Sequence, residues 1–135
     1  MRFAAIALRV ALAAGFLSAV ADRFGFWGTP GTPGVAWGDW SHFLTYTARL
    51  NWFLPASLTP IVGAIATLAE TALALLLFLG AWPRYTALAS GVLLLLFALT
   101  MTFALGIKAP LGYSVYVGAT GAFYLAATAA LPQRS

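Results

Sequence analysis

Four apolar runs constrain this chain more than any other feature of its sequence. They cover about residues 3–21, 58–79, 85–105 and 111–131. Because a helix needs roughly 20 apolar residues to cross the hydrocarbon core of a bilayer, each run is long enough to span one. Only 7% of the residues are charged, whereas a soluble domain carries about a quarter. We therefore predict an all-α integral membrane protein, with residues 1–135 forming one domain that is a four-transmembrane-helix bundle.

Glycine and proline residues mark the predicted ends of these runs. Gly80 follows the second run, Pro83 precedes the third and Pro132 ends the last, which is the arrangement typical of helix stops and starts. The first run also resembles a secretory signal, since SAVA precedes Asp22. Arg9 interrupts its apolar stretch, so we expect an uncleaved first span.

The long connection between the first and second runs has two parts. The segment GFWGTPGTPGVAWG is rich in turn-forming residues and should have no core of its own. The segment that follows, about residues 40–53, predicts a short amphipathic helix with Asp39 as its N-cap. Its apolar positions are Trp40, Phe43, Leu44, Leu50 and Leu54, and its polar positions are His42, Tyr46 and Arg49. We expect this helix to lie on the bilayer surface, with its tryptophans among the lipid headgroups.

The charged and metal-binding residues exclude several classes of function. Seven basic and three acidic residues give a net charge of +4 without a basic patch, so we expect no nucleic-acid partner. The absence of cysteine excludes disulfides, thiolate metal sites and iron–sulfur clusters. His42 is the single histidine, so one chain cannot supply a bis-histidine haem or a multi-histidine metal site. We expect no cofactor held covalently or by metal ligation.

One carboxylate, Glu70, lies inside the second apolar run, in TLAETALALLLFLG. Counting residues at 1.5 Å each places Glu70 roughly 13 Å and Arg9 roughly 9 Å from the same membrane surface. A lone charge in hydrocarbon is costly, so we expect an intramembrane ion pair between Arg9 and Glu70. The pair could specify which helices meet, or Glu70 could relay protons or bind a ligand.

Small and hydroxylated residues recur along the first and fourth runs. Small residues permit close helix contact in lipid, which predicts packing faces at Ala7, Ala11, Gly15 and Ala19 and at Gly118, Ala122, Ala126 and Ala130. These faces permit a homo-oligomer as readily as a contact within the chain. A second stripe carries hydroxyl groups, at Tyr113, Tyr116, Thr120, Tyr124 and Thr128. We expect these hydroxyls to face protein or a polar cavity.

The pattern resembles the DoxX/DoxD-like family of small four-helix bacterial membrane proteins. The likeness is carried by LRVALAAGFLSAVADRFG, by ATLAETALALLLFLGAWPRYTALASGVLLLLFALTM and by KAPLGYSVYVGATGAFYLAA. An arginine in the first helix and a glutamate opening an ExxxxxLLxxG-like second helix recur in that family, and Arg9 and Glu70 match them. The resemblance implies a plasma-membrane location and a link to respiratory redox chemistry or oxidant defence.

Without metal ligands, such chemistry would have to use a diffusible quinone. His42, Tyr46 and Arg49 could donate hydrogen bonds to its carbonyl groups, and Trp40 or Trp52 could pack on its ring. An alternative site combines Arg9 and Glu70 with Tyr113, Tyr116, Thr120 and Tyr124. The residues His42, Tyr46 and Arg49 could equally be the solvated face of an interfacial helix.

Two hypotheses of function follow. The first is a DoxX-like subunit that supports a quinone-linked oxidoreductase, has no catalytic centre of its own and needs a protein partner. The second is a small-molecule or lipid-binding or transport protein with a polar cavity among its helices. For both we expect a multi-pass protein of the bacterial plasma membrane, and a small excess of basic residues favours cytoplasmic termini.

Overall fold

The computed structural model describes residues 2–129, and that part of the chain is helical without strands. The helices are α1 (Arg2–Arg23), α2 (Trp40–Leu50), α3 (Thr59–Leu79), α4 (Pro83–Leu105), α5 (Lys108–Gly112) and α6 (Val115–Ala129), with a 3-10 turn at Ala56–Leu58. The last two residues of the predicted fourth run, its predicted stop at Pro132 and the stripe residue Ala130 lie outside the described residues.

Three of the helices within residues 2–129 are long and apolar enough to cross a membrane. They cover Phe3–Arg23, Ala56–Leu79 and Pro83–Leu105. Helix α6 is apolar but shorter, with 15 described residues. Several apolar helices of this kind indicate a membrane-embedded, multi-pass protein, because few soluble folds could bury so much apolar surface.

The predicted fourth run is not one continuous helix. Helix α5 ends at Gly112, and α6 begins at Val115. Between them Ser114 has φ = 57°, a left-handed conformation that a right-handed helix cannot contain. The run predicted to begin at about residue 111 is therefore interrupted, and the break places Tyr113 and Ser114 in a corner between two helices.

The predicted end of α3 and start of α4 are confirmed. Gly80 has φ = 69°, and its N–H donates to the carbonyls of Leu76 and Leu77. Such a left-handed glycine satisfies carbonyls that a helix end would otherwise leave unpaired. Pro83 is the first residue of α4, where a missing N–H costs nothing.

Four helices form a ring in which each packs on two neighbours. Helix α1 packs on α3, α3 on α4, α4 on α6, and α6 on α1. Helices α1 and α4 are therefore diagonal to each other, without extensive mutual packing. Helix α2 packs on α3, α4 and α1, and it covers the end of the ring where α1 finishes and α3 starts.

Alanines fill the tightest helix contacts, but not always at the predicted positions. On α6, Ala122 and Ala126 are buried, as predicted. On α1 the buried apolar residues are Ala13 and Phe16, whereas the predicted face that includes Ala11 and Gly15 is largely exposed. Helix α1 is so rich in alanine that several of its faces carry small residues at regular spacing. The bulk of Phe16 determines which of these faces packs on α3.

The hydroxyl stripe of the fourth run is also placed differently from expectation. Tyr124 is 69% exposed, and the Thr120 hydroxyl donates back to the carbonyl of Tyr116 on its own helix. A threonine can satisfy its hydroxyl in this way without any interhelical partner. Only the Tyr116 hydroxyl reaches another helix in the described part, lying 2.7 Å from Thr102 Oγ1.

Candidate binding cavity

Glu70 is paired, but with Arg23. The Arg23 Nη2 donates to Glu70 Oε1 at 2.7 Å, and the side chains are 4% and 1% exposed. The Arg23 Nη1 donates to Thr67 Oγ1 at 2.8 Å, and that hydroxyl donates to the carbonyl of Gly63. A short hydrogen-bonded network therefore ties the end of α1 to the first half of α3.

The predicted ion pair between Arg9 and Glu70 is wrong. Arg9 donates through Nε to the carbonyl of Leu77 at 3.0 Å, and a Cβ on Gly80 would lie only 2.8 Å from its Nη2. Arg9 thus binds at the C-terminal end of α3. A cation is favourable there because the last carbonyls of a helix carry partial negative charge.

The direction of the side chains explains the change of partner. In a helix each Cα–Cβ bond tilts toward the N-terminus. The contacts of Arg9 and Arg23 show that α1 and α3 are antiparallel. Glu70 therefore leans toward the start of α3 and away from Arg9. Arg23 leans back along α1 and meets it.

Aromatic rings enclose the ion pair. The Arg23 guanidinium lies 4.0 Å from the centroid of the Phe43 ring and 5.3 Å from that of Trp37, so it makes cation–π contacts with both rings. Among the described residues, Arg23 Nε and Glu70 Oε2 are buried without a hydrogen-bond partner. The pair is enclosed by protein, with one donor and one acceptor still free.

Asp22 organises the glycine-rich loop. Its carboxylate accepts the backbone N–H groups of Ala36, Trp37 and Gly38 at 2.8, 2.8 and 2.9 Å. These three hydrogen bonds hold the loop that follows α1 in place. The loop has too few apolar residues to form a core of its own. The hydrogen bonds position Trp37 against Arg23, with its ring centroid 5.6 Å from that of Tyr46.

A cavity of about 1250 Å³ opens between the diagonal helices α1 and α4. Helices α3 and α6 bound it at the sides, and α2 closes one end. Its apolar wall includes Ile65 and Ala69 of α3 and Leu93, Leu96 and Phe97 of α4. The small residues of α1 that were predicted to pack on another helix, including Ala11 and Gly15, line this cavity instead.

The end of the cavity near α2 is polar. His42, Tyr46 and Arg49 of α2 line it, together with Tyr113 and Ser114 from the corner between α5 and α6. The titration of Tyr46 agrees with this grouping. Burial raises the pKa of the Tyr46 phenol, the nearby Tyr113 phenol raises it further, and Arg49 lowers it. Tyr46 therefore remains a neutral hydroxyl at physiological pH.

The structure brings together some predicted site residues and separates others. His42, Tyr46, Arg49, Glu70 and Tyr113 share the cavity wall. The remaining candidates, which are Arg9, Trp40, Trp52, Tyr116, Thr120 and Tyr124, are not among its lining residues. Trp40 stacks on Phe24 with ring centroids 5.6 Å apart, and Trp52 is 69% exposed.

Sequence reasoning missed Asp22, Arg23 and Trp37 as parts of this site. A signal for Arg23 was present, because Arg9, Phe16 and Arg23 are spaced by seven residues and so share one face of α1. The role of Asp22 had no comparable signal. Its three partners lie 14 to 16 residues away, in a loop without periodicity.

His42 is held by the N-cap of α2. Asp39 accepts the backbone N–H of His42 at 2.8 Å, and its Oδ1 lies 2.8 Å from the His42 Nδ1. The backbone hydrogen bond is the main cause that holds the pKa of Asp39 below its usual range, followed by the imidazole contact. The predicted N-cap is therefore confirmed.

A second hollow of about 590 Å³ lies between α3 and α4. Tyr85 is its one polar lining side chain, and leucine, alanine and valine form the rest. A ligand site needs a few convergent polar groups to fix orientation, and this hollow has one, so we propose no ligand site there. The described residues contain no cluster of three or more acidic or histidine side chains that could hold a metal ion.

This chain has no match in three comparisons with known proteins. No family model, no curated protein and no solved structure matches it. The resemblance to the DoxX/DoxD-like family therefore stays a prediction that depends on the sequence segments quoted above.

Proposed function

We propose that this protein binds a small amphiphilic molecule in the cavity between α1 and α4. The observation that carries the proposal is one continuous cavity with hydrogen-bond donors at the α2 end and aliphatic side chains along the rest. Drug-sized ligands occupy pockets of about 300–1,000 Å³. At about 1250 Å³, this cavity has room for a molecule with a headgroup and a hydrocarbon chain.

The membrane placement is part of the proposal. We assign α1, α3, α4 and α6 as four spans and α2 as a helix on the bilayer surface, in a bacterial plasma membrane with cytoplasmic termini. The closed ring of four helices supports this assignment, because α6 packs on α4 and α1 as a fourth span would. The cavity is then open to molecules that dissolve in the bilayer.

In this proposal the Arg23–Glu70 pair builds the cavity wall rather than reacting with the ligand. Phe43 and Trp37 cover the guanidinium, and both charged side chains are almost fully enclosed. The hydrogen bonds from Arg23 to Glu70 and Thr67 tie the end of α1 to α3. The role of the pair is to fix α1 on α3, with the small residues of α1 facing the cavity.

A second candidate function is a DoxX-like accessory subunit that presents a quinone to a partner oxidoreductase. The donors at the polar end favour it, because Tyr46, Arg49 and His42 could each donate to a quinone carbonyl. Such a subunit would carry no cofactor of its own and would co-purify with the protein that holds the redox centre.

Native mass spectrometry of protein extracted gently in lipid nanodiscs tests the main proposal. Gly15 lines the cavity, and a Cβ at this position would meet nothing within 4 Å. Gly15→Leu should therefore narrow the cavity without disturbing α1. Ala14→Leu is the matched control, because Ala14 is exposed and does not line the cavity.

We expect the wild type and Ala14→Leu to retain a small molecule that Gly15→Leu loses. Equal retention by all three proteins would place the molecule outside the cavity and refute the proposal. A retained quinone together with a co-purifying subunit would favour the second candidate. A retained lipid or acid without a partner would favour the first.

A further inference from the structure

We infer that the ligand carries an anionic oxygen headgroup, a carboxylate or a phosphate, which Arg49, Tyr46 and Tyr113 receive at the α2 end of the cavity. This inference rests on the proposed function, since it names the chemical class of the molecule that the cavity holds.

At the polar end, Arg49, Tyr46 and Tyr113 have hydrogen-bond donors that no described residue accepts. A guanidinium has five N–H donors and no acceptor, and each phenol has one O–H donor. In residues 2–129 Glu70 pairs with Arg23, and Asp39 contacts His42, so neither carboxylate is a counter-charge for Arg49. Charge-assisted hydrogen bonds to carboxylate or phosphate are the strongest that such donors form.

The acidic groups near the cavity do not compete for Arg49. Asp22 is 6% exposed and accepts three backbone N–H groups, and Glu70 is 1% exposed and accepts from Arg23. Both carboxylates are thus enclosed and engaged. Arg49 is exposed, which makes it the charged side chain on the wall that an incoming headgroup can reach.

The rest of the cavity fits the tail of such a molecule. From the polar end, the wall continues along Phe97, Leu96 and Leu93 of α4. One turn of helix advances about 5.4 Å, so these residues present an apolar track more than a turn long. The cavity therefore fits an amphiphilic anion whose headgroup accepts from the donors and whose chain lies along this track. A free fatty acid and an anionic phospholipid are both molecules of this kind.

The test compares dodecanoate with dodecanol, which share a chain and differ in charge. Binding is measured by native mass spectrometry in phosphatidylcholine nanodiscs at about pH 9, far above the usual pKa of a carboxyl group. We expect dodecanoate to bind about tenfold more tightly, or better, because a charged hydrogen bond contributes at least that factor.

Two arginine variants test which residue causes the preference for dodecanoate over dodecanol. Arg49→Gln keeps a donor but removes the charge, and it should bring the two affinities to within about twofold. Arg84→Gln removes the same charge at an exposed position that does not line the cavity, and it should leave the preference intact. A preference that survives Arg49→Gln would overturn the inference.

Other outcomes separate the inference from the proposed function. If both probes bind equally in the wild type and Gly15→Leu abolishes both, the cavity binds amphiphiles but the anionic headgroup is refuted. If neither probe binds the wild type, both proposals fail. Replacing part of the phosphatidylcholine by phosphatidylglycerol identifies the source, because competition with dodecanoate indicates a phospholipid and its absence a free acid.

Discussion

Replacing Glu70 by leucine should strongly destabilise the protein, because it leaves the Arg23 guanidinium enclosed without a counter-charge. Removing one partner of a buried ion pair costs about 3–5 kcal/mol, and here the pair is 4% and 1% exposed with an N–O distance of 2.7 Å. Arg23→Leu should cost a similar amount. The double variant buries no charge. The sum of the two single losses in the free energy of unfolding should therefore exceed the loss in the double variant by about 3 kcal/mol or more.

Arg9 provides the matched comparison, since it lies on the same helix. It donates one hydrogen bond to the Leu77 carbonyl, so Arg9→Leu should cost about 1–3 kcal/mol. Its effect should add to that of Glu70→Leu within about 0.5 kcal/mol, because the two side chains share no contact.

The assay is unfolding in mixed micelles by titration with dodecyl sulfate, followed by circular dichroism for the wild type and the five variants of the two cycles. Additive losses for Arg23 and Glu70 would refute the pairing. A large coupling between Arg9 and Glu70 would also refute it, and would restore the pairing predicted from residue depth.

Three further predictions follow from individual contacts. Gly80→Ala should cost about 1–2 kcal/mol of stability in the same titration, because φ is 69° and the new Cβ would press on Arg9. Gly15→Ala should instead increase the stability by up to about 1 kcal/mol. Equal effects of the two substitutions would contradict this prediction. Asp22→Asn should speed hydrogen exchange of the loop amides that its carboxylate accepts, and unchanged protection would show that the loop closes without it. The pKa of Asp39 is lowered in the folded chain, so its contribution to the N-cap is complete above its ordinary value of 3.8 and is lost as the pH falls through the lower folded pKa. The helical signal of α2 should therefore be the same at neutral and mildly acidic pH and fall only below 3.8, whereas loss near neutrality would assign the titration to another group.

Local features of the fold were predictable because their causes lie within a few residues. The apolar runs predict the long helices, Asp39 predicts the N-cap of α2, and Gly80 predicts the end of α3. Each depends on hydrophobicity, a side-chain hydrogen bond or a backbone angle that one residue type favours. The break at Ser114 was not predictable in this way, since serine has no preference for a left-handed conformation.

The site was predicted less completely, because it depends on contacts across the ring. Counting residues gave the depth of Glu70 but not the direction of its side chain, and direction selects Arg23 over Arg9. Alanine spacing indicated a stripe on α1 but not what it faces, and the stripe lines a cavity. His42, Tyr46 and Arg49 were predicted as one face of a helix, while their position beside Tyr113 required the corner between α5 and α6.

The most direct test of the account asks whether a ligand shields the cavity. The chain has no cysteine, so Gly15→Cys and Ala14→Cys each introduce a single thiol, inside and outside the cavity on adjacent residues. Maleimide labelling is compared before and after the bound molecules are stripped by detergent exchange. We predict that stripping accelerates labelling at position 15 and leaves position 14 unchanged, and that restoring the extracted molecules reverses the effect. Labelling that changes equally at both positions, or at neither, would contradict a ligand held between α1 and α4.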